Sequence, residues 1–151
     1  MKKLLFAMLG LIAAMGCSGR PELFPNSDSL LRKTSTEFAA DAARRFPYKL
    51  DAPRAGEAEA RAQVGYVLDV LEIENLSDTD WENVEVWVNQ EYCVFLPKME
   101  SKRLKHLTFQ MIFNEQGRSF PTDNRAAENR ISKLELYRDG RMYDVKLQLA
   151  D

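Results

Sequence analysis

Histidine and cysteine are scarce in this chain, with one His and two Cys among 151 residues. Those counts exclude a multi-histidine metal centre, a zinc-finger constellation and a disulfide-rich scaffold. Seven glycines and six prolines exclude collagen-like and low-complexity architectures. No apolar run reaches the roughly 20 residues that a transmembrane helix needs. An excess of positive charge is also missing. Without residues 1–16, which have the look of a removable segment, 19 basic residues face 23 acidic ones, a net charge of −4 over the remaining 135 residues. That argues against nucleic acid as the main partner. What is present is ordinary for a globular chain: 45% hydrophobic and 29% charged residues, enough for one domain with a single core.

The N-terminus reads as an address. Met1-Lys2-Lys3 is a short basic segment, and Leu4 to Met15 is an apolar run of about a dozen residues, as in a signal peptide. The run ends at Ala14-Met15-Gly16-Cys17, with small residues flanking a cysteine. This resembles the lipobox of bacterial lipoproteins. The resemblance implies diacylglycerol attachment to the Cys17 sulfur, cleavage before Cys17, acylation of the new amino group and a stable anchor in the cell envelope. Ser18, in place of Asp, implies the outer membrane if the source is Gram-negative. Ala14-x-Gly16 also suits an ordinary signal peptidase, which would release a soluble periplasmic or secreted protein with a free Cys17.

The expected organisation is a signal peptide (1–16), a lipidated tether (17–26), a helix and connector (27–62) and a β-domain (63–151). Gly19, Pro21, Pro25 and Asn26 give the tether no periodicity. Thr34-Ser35-Thr36-Glu37 has the spelling of a capping box, Phe38 to Arg45 continues as good helix formers, and Pro47 stops the helix. Leu50 to Ala62 reads as a solvated connector.

From Gln63 onward the pattern is β. Val64 to Ile73 reads as one long strand with a phase fault, which a bulge at Asp69 to Leu71 would repair. Val84, Val86 and Val88 alternate with Glu85, Trp87 and Asn89, so that strand has one buried face. Asn89-Gln90-Glu91 turns the chain into Tyr92 to Leu96, which Pro97 is expected to end. Leu107, Phe109, Met111 and Phe113 are the expected inward face of the next strand. Phe120 to Asn129 is a crossing loop. Ile131 to Tyr137 and Met142 to Leu149 flank Asp139-Gly140, the strongest hairpin signal in the chain. That register sets Leu136 against Tyr143 and Glu135 against Asp144, with Lys146 diagonal to Glu135 as the relieving charge.

These elements predict a mainly β fold, an antiparallel immunoglobulin-like β-sandwich preceded by one N-terminal helix. Ile73-Glu74-Asn75, Trp81-Glu82-Asn83-Val84-Glu85-Val86, Asn89 and Phe113 to Phe120 resemble the turns of small bacterial lipoprotein sandwich domains, whose functions are mostly unassigned. The resemblance covers about a third of the chain and concerns turn chemistry, not site chemistry.

Residues with site chemistry are few and scattered. His106 lies between Lys105 and Leu107 on a strand's polar face, which is a poor place for a catalytic base. Cys93, between Tyr92 and Val94, reads as a small buried hydrophobe. Asp78, Asp80 and Glu82 are turn acids without the ligand loop calcium requires. Asn75-Leu76-Ser77 spells a glycosylation sequon, with no relevance in bacterial export. Lys98, Lys102, Arg103 and Lys105 form a basic cluster that either guards an edge strand or meets an acidic surface. Trp87 points away from the three valines, so it is either covered by the N-terminal helix or exposed as a partner contact. No catalytic residue, metal or cofactor is assigned. The expected function is a non-catalytic envelope lipoprotein that binds or scaffolds a partner, held to the membrane by its lipid, with a small envelope enzyme as the alternative class. The oligomeric state is not legible.

Overall fold

The computed structural model describes residues 34, 36, 37, 40, 44–123 and 126–149. The expected signal peptide, Cys17 and the tether lie outside the described residues. So does most of the expected helix. Its capping box is visible: Thr34 N–H and Oγ1–H both donate to Glu37 Oε2, at 2.6 and 2.8 Å, and Glu37 N–H donates back to Thr34 Oγ1 at 3.3 Å.

Among the described residues, seven strands form one sheet: β1 (Arg54–Gly65), β2 (Val70–Asn75), β3 (Trp81–Val88), β4 (Tyr92–Met99), β5 (Leu104–Thr108), β6 (Leu134–Arg138) and β7 (Arg141–Leu149). The order is β4-β3-β6-β7-β1-β2-β5. Every neighbouring pair is antiparallel except β1 and β7, which run parallel. The fold is mainly β, as expected, but the antiparallel two-sheet arrangement gives way to a single mixed sheet. The cause is β1. It starts nine residues before the expected domain boundary and joins the first and last strands at the sheet's centre.

The sheet then curls on itself. After β5 the chain makes a 3-10 turn at Phe109–Met111, and Phe113 pairs with Cys93 of β4. Cys93 N–H donates to Phe113 O at 2.8 Å and Phe113 N–H to Cys93 O at 3.1 Å. Chain leaving one edge strand is thereby bonded to the other edge strand, and the result is nearly a barrel. Inside it pack Ala60, Ala62 and Val64 of β1, Leu71 and Ile73 of β2, Val84, Val86 and Val88 of β3, Val94 and Leu96 of β4, and Leu134 and Leu136 of β6. Phe120 stacks edge-on with Phe109 and Tyr92, at 5.0 and 5.1 Å between ring centroids, and fills one end of the core.

Several local expectations change for identifiable reasons. The phase fault in Val64 to Ile73 is a turn: β1 ends at Gly65, β2 begins at Val70, and Asp69 takes φ 51°. Val67 and Leu68, 95% and 77% exposed, sit on the tip. Pro97 does not end β4, because β4 is an edge strand and a missing N–H costs nothing on the open side. The strand expected through Phe113 stops at Thr108, so Phe109, Ile112 and Phe113 are buried while Met111 is only partly covered. The Asp139-Gly140 hairpin is as expected, with φ of 50° and 74° and the pairs Leu136 with Tyr143 and Glu135 with Asp144. Lys146, however, pairs with Glu57 of β1 at 2.8 Å instead of reaching Glu135, because the parallel partner lies on its other side.

Residues 44–53 cross the outer face of β3, β4, β6 and β7 as an irregular strap before entering β1. The strap covers the site described next.

Candidate functional site beneath the strap

Alternation along β3 sends Val84, Val86 and Val88 into the barrel and leaves Glu85 and Trp87 on the outer face. On β6 the same rule places Leu134 and Leu136 inside and Glu135 outside, and Trp87 is cross-strand neighbour to both Glu135 and Cys93. With Met142 of β7, Trp87 and Cys93 form a second, smaller apolar cluster on the sheet's outer surface. A bare indole and thioether there would face water. The strap covers them: Phe46 and Tyr48 meet Trp87 edge-on from two sides, at 5.1 and 5.2 Å between centroids. Trp87 is 0% exposed. Its expected cover was the helix around Phe38. Of the residues described, those that cover it, Phe46 and Tyr48, stand either side of Pro47, the expected helix stop.

Two buried carboxylates flank the indole. Glu85 Oε2 accepts from Trp87 Nε1–H at 3.0 Å and from Lys49 Nζ at 2.5 Å, with Arg45 Nε 3.9 Å from Oε1. Glu135 Oε2 accepts from the Tyr48 hydroxyl at 2.7 Å, while Oε1 accepts from Lys133 Nζ at 3.0 Å and from Arg54 Nη1. Tyr48 Oη in turn accepts from Arg54 Nη2 at 2.8 Å and from Gln90 Nε2 at 3.1 Å. Lys49 also lies over the Tyr137 ring, 4.5 Å from its centroid, and the Arg45 guanidinium lies 3.6 Å from that of Phe95. Phe46 and Tyr48 of the strap thus bring aromatic rings to Trp87, Tyr48 and Lys49 bring donors to the acids, and Ala52 packs on the apolar cluster.

The electrostatics follow from these bonds. Burial raises the Glu135 carboxyl, but hydrogen bonds from Tyr48, Lys133 and Arg54 more than offset it and hold the group below the ordinary carboxylate range. Burial and the Glu135 bond push the Tyr48 hydroxyl up, so Tyr48 stays a donor at neutral pH. Burial also pushes the Cys93 thiol far up, with the Glu85 charge adding to it, so Cys93 is a thiol and not a thiolate. The cluster is chemically an ion-paired clasp. Against the strap lie two adjoining open grooves of about 630 and 670 Å³, both lined by Arg44, Arg45, Glu85 and Tyr137. Phe95 and Arg138 are among the other residues lining one, and Pro47, Lys49 and Gly140 among those lining the other.

The other residues singled out in the sequence lie elsewhere. His106 is a surface residue, 61% exposed, with Nδ1 3.0 Å from Glu72 Oε1. The basic cluster is matched by acids: Lys98 pairs with Asp80 at 2.8 Å, Lys102 with Asp78 at 3.3 Å, and Arg103 and Lys105 with Glu100 at 3.5 and 2.6 Å. Lys98 and Lys105 do stand on the two edge strands. Asn75 of the sequon is fully buried, its amide donating to Thr79 O and Met99 O. Sequence reasoning passed over Glu85, Glu135, Tyr48, Lys49 and Arg54. The signal for the two acids was in the alternation, which places both on the outer face that carries Trp87. Phe46-Pro47-Tyr48-Lys49 carried a signal too, being an aromatic pair around a proline, but the proline drew attention as a helix stop.

No protein-family model matches the chain, and neither a curated protein nor a solved structure matches it.

Proposed function

We propose that this is a non-catalytic envelope lipoprotein, anchored through Cys17 and acting as a binding or scaffolding module. The observation that carries the reading is the outer face of the sheet, where an indole between two buried carboxylates holds an irregular, turn-containing segment by side-chain recognition. Such a face does what a binding module does, and its ionisable groups are engaged in recognition. Glu135 is kept ionised by three donors and Cys93 is kept protonated by burial, the reverse of what a general acid or a nucleophile needs. The lipobox-like Ala14-Met15-Gly16-Cys17 supports export and anchoring, and Ser18 supports the outer membrane of a Gram-negative cell. Kinship with small bacterial lipoprotein domains is supported by the turn residues Asn75, Asn89 and Asn114, which organise the loops. Asn89 Oδ1, for instance, accepts from the backbone N–H of both Ser132 and Lys133.

Mass spectrometry of the mature N-terminus, combined with a pull-down from envelope extract, tests the reading. A triacylated or diacylated Cys17 and a saturable protein partner are expected. An unmodified Cys17 overturns the anchor, and turnover of an envelope substrate by the purified chain overturns the non-catalytic assignment.

A further inference from the structure

We infer that the face centred on Trp87 is a docking site for a peptide segment of an envelope protein that presents aromatic side chains around a proline followed by a cation, and that the strap is its resident, displaceable occupant. The inference rests on the binding-module reading and names the chemistry of the partner. Three observations carry it. The strap is joined to the sheet by side chains: among the described residues, the backbone bond between the two is Met142 N–H to Pro53 O at 3.0 Å, at the strap's last residue. A segment held this way can leave without breaking a ladder. The face is complementary to one kind of segment, since Trp87 accepts two aromatic edges while Glu85 and Glu135 accept a lysine and a tyrosine hydroxyl. The two adjoining grooves against the strap, about 630 and 670 Å³, both lined by Glu85 and Tyr137, give a competing segment room to engage beside Glu85 before the strap is gone.

As the strap is covalently attached, it competes at an effective concentration in the millimolar range. A free peptide therefore binds the wild type weakly and a strap-weakened chain much more tightly. The test uses the full mature chain in detergent and a fluorescent synthetic peptide of residues 44–53, read by anisotropy. Tyr48→Ala with Lys49→Ala weakens the strap and leaves the face intact. The peptide is expected to bind that variant at least tenfold more tightly than wild type. Adding Glu135→Gln to the same variant is expected to reverse the gain, and a scrambled peptide is expected to stay free. Should the double variant fail to fold, Phe46→Ala takes its place, since it leaves both carboxylates paired. The inference falls if no folded strap variant binds the peptide, if the scrambled peptide binds equally, or if no strap variant folds at all, which would make the strap a structural element. It also falls, with the binding-module reading intact, if an envelope partner is captured equally by wild type and by the Glu135→Gln variant.

Discussion

A carboxylate with no exposed surface persists at position 135 because three donors converge on it. Its folded pKa lies below its ordinary value of 4.5, so its contribution to stability is complete above about that pH and is lost as the pH falls through the lower, folded value. Glu135→Gln keeps the shape and removes the charge, leaving Arg54 and Lys133 without their acid. It is expected to cost about 2 kcal/mol at neutral pH and to flatten the decline of the urea midpoint below pH 4.5. Identical acid limbs for variant and wild type would show that the network contributes nothing to pH-dependent stability. Cys93 makes the opposite argument. Buried and protonated beneath the strap, it should react with a thiol reagent only as fast as the strap opens or the chain unfolds, measured in a Cys17→Ser chain so that one thiol reports. Rapid native labelling would place the thiol at the surface.

Among the elements, the β6–β7 hairpin was the most legible, and its turn explains why. Asp139 and Gly140 both need positive φ, a requirement few residue pairs meet. A Cβ at Gly140 would have nothing within 4 Å, so Gly140→Val meets no clash and its cost is backbone strain alone, about 1 to 3 kcal/mol. A lowered urea midpoint with an unchanged slope is expected, and an unchanged midpoint would mean that the turn has relaxed into another type. The β1–β2 turn was illegible for the converse reason. Its tip is Val67-Leu68, residues that favour strands, and its one positive φ falls on Asp69, an unremarkable acid in a long apolar run. β1 itself hid behind its composition. Alanine, glutamate and arginine have low strand propensity, and the inward positions Ala60 and Ala62 are small and give a faint period. The strap had no period to find. Trp87 was recognisable as a residue needing a cover, and the choice of cover depended on which segment the chain brings across the sheet.

At the scale of the molecule the decisive feature is the parallel pair of β1 and β7, which joins residues 54–64 to residues 142–149 and closes the fold between its two ends. No local pattern announces such a pair, because it is made by contacts more than 80 residues apart in sequence. It divides the molecule into two bodies of unequal strength. The barrel holds the large core, in which Leu136 is wholly buried; the strap holds the small outer cluster with mostly side-chain bonds. Hydrogen exchange should therefore show two tiers. Strap amides, among them Leu50 and Ala52, whose backbone bonds stay within the strap, should exchange through a local opening that leaves the barrel intact. Amides of β3, β6 and β7, apart from Met142, whose N–H is bonded to Pro53 O of the strap, should exchange only through global unfolding. Leu136→Ala, at about 2 to 5 kcal/mol, should speed the second tier and leave the first unmoved. If strap and barrel amides respond together to that substitution, the strap belongs to the cooperative unit and its release as a separate event is ruled out.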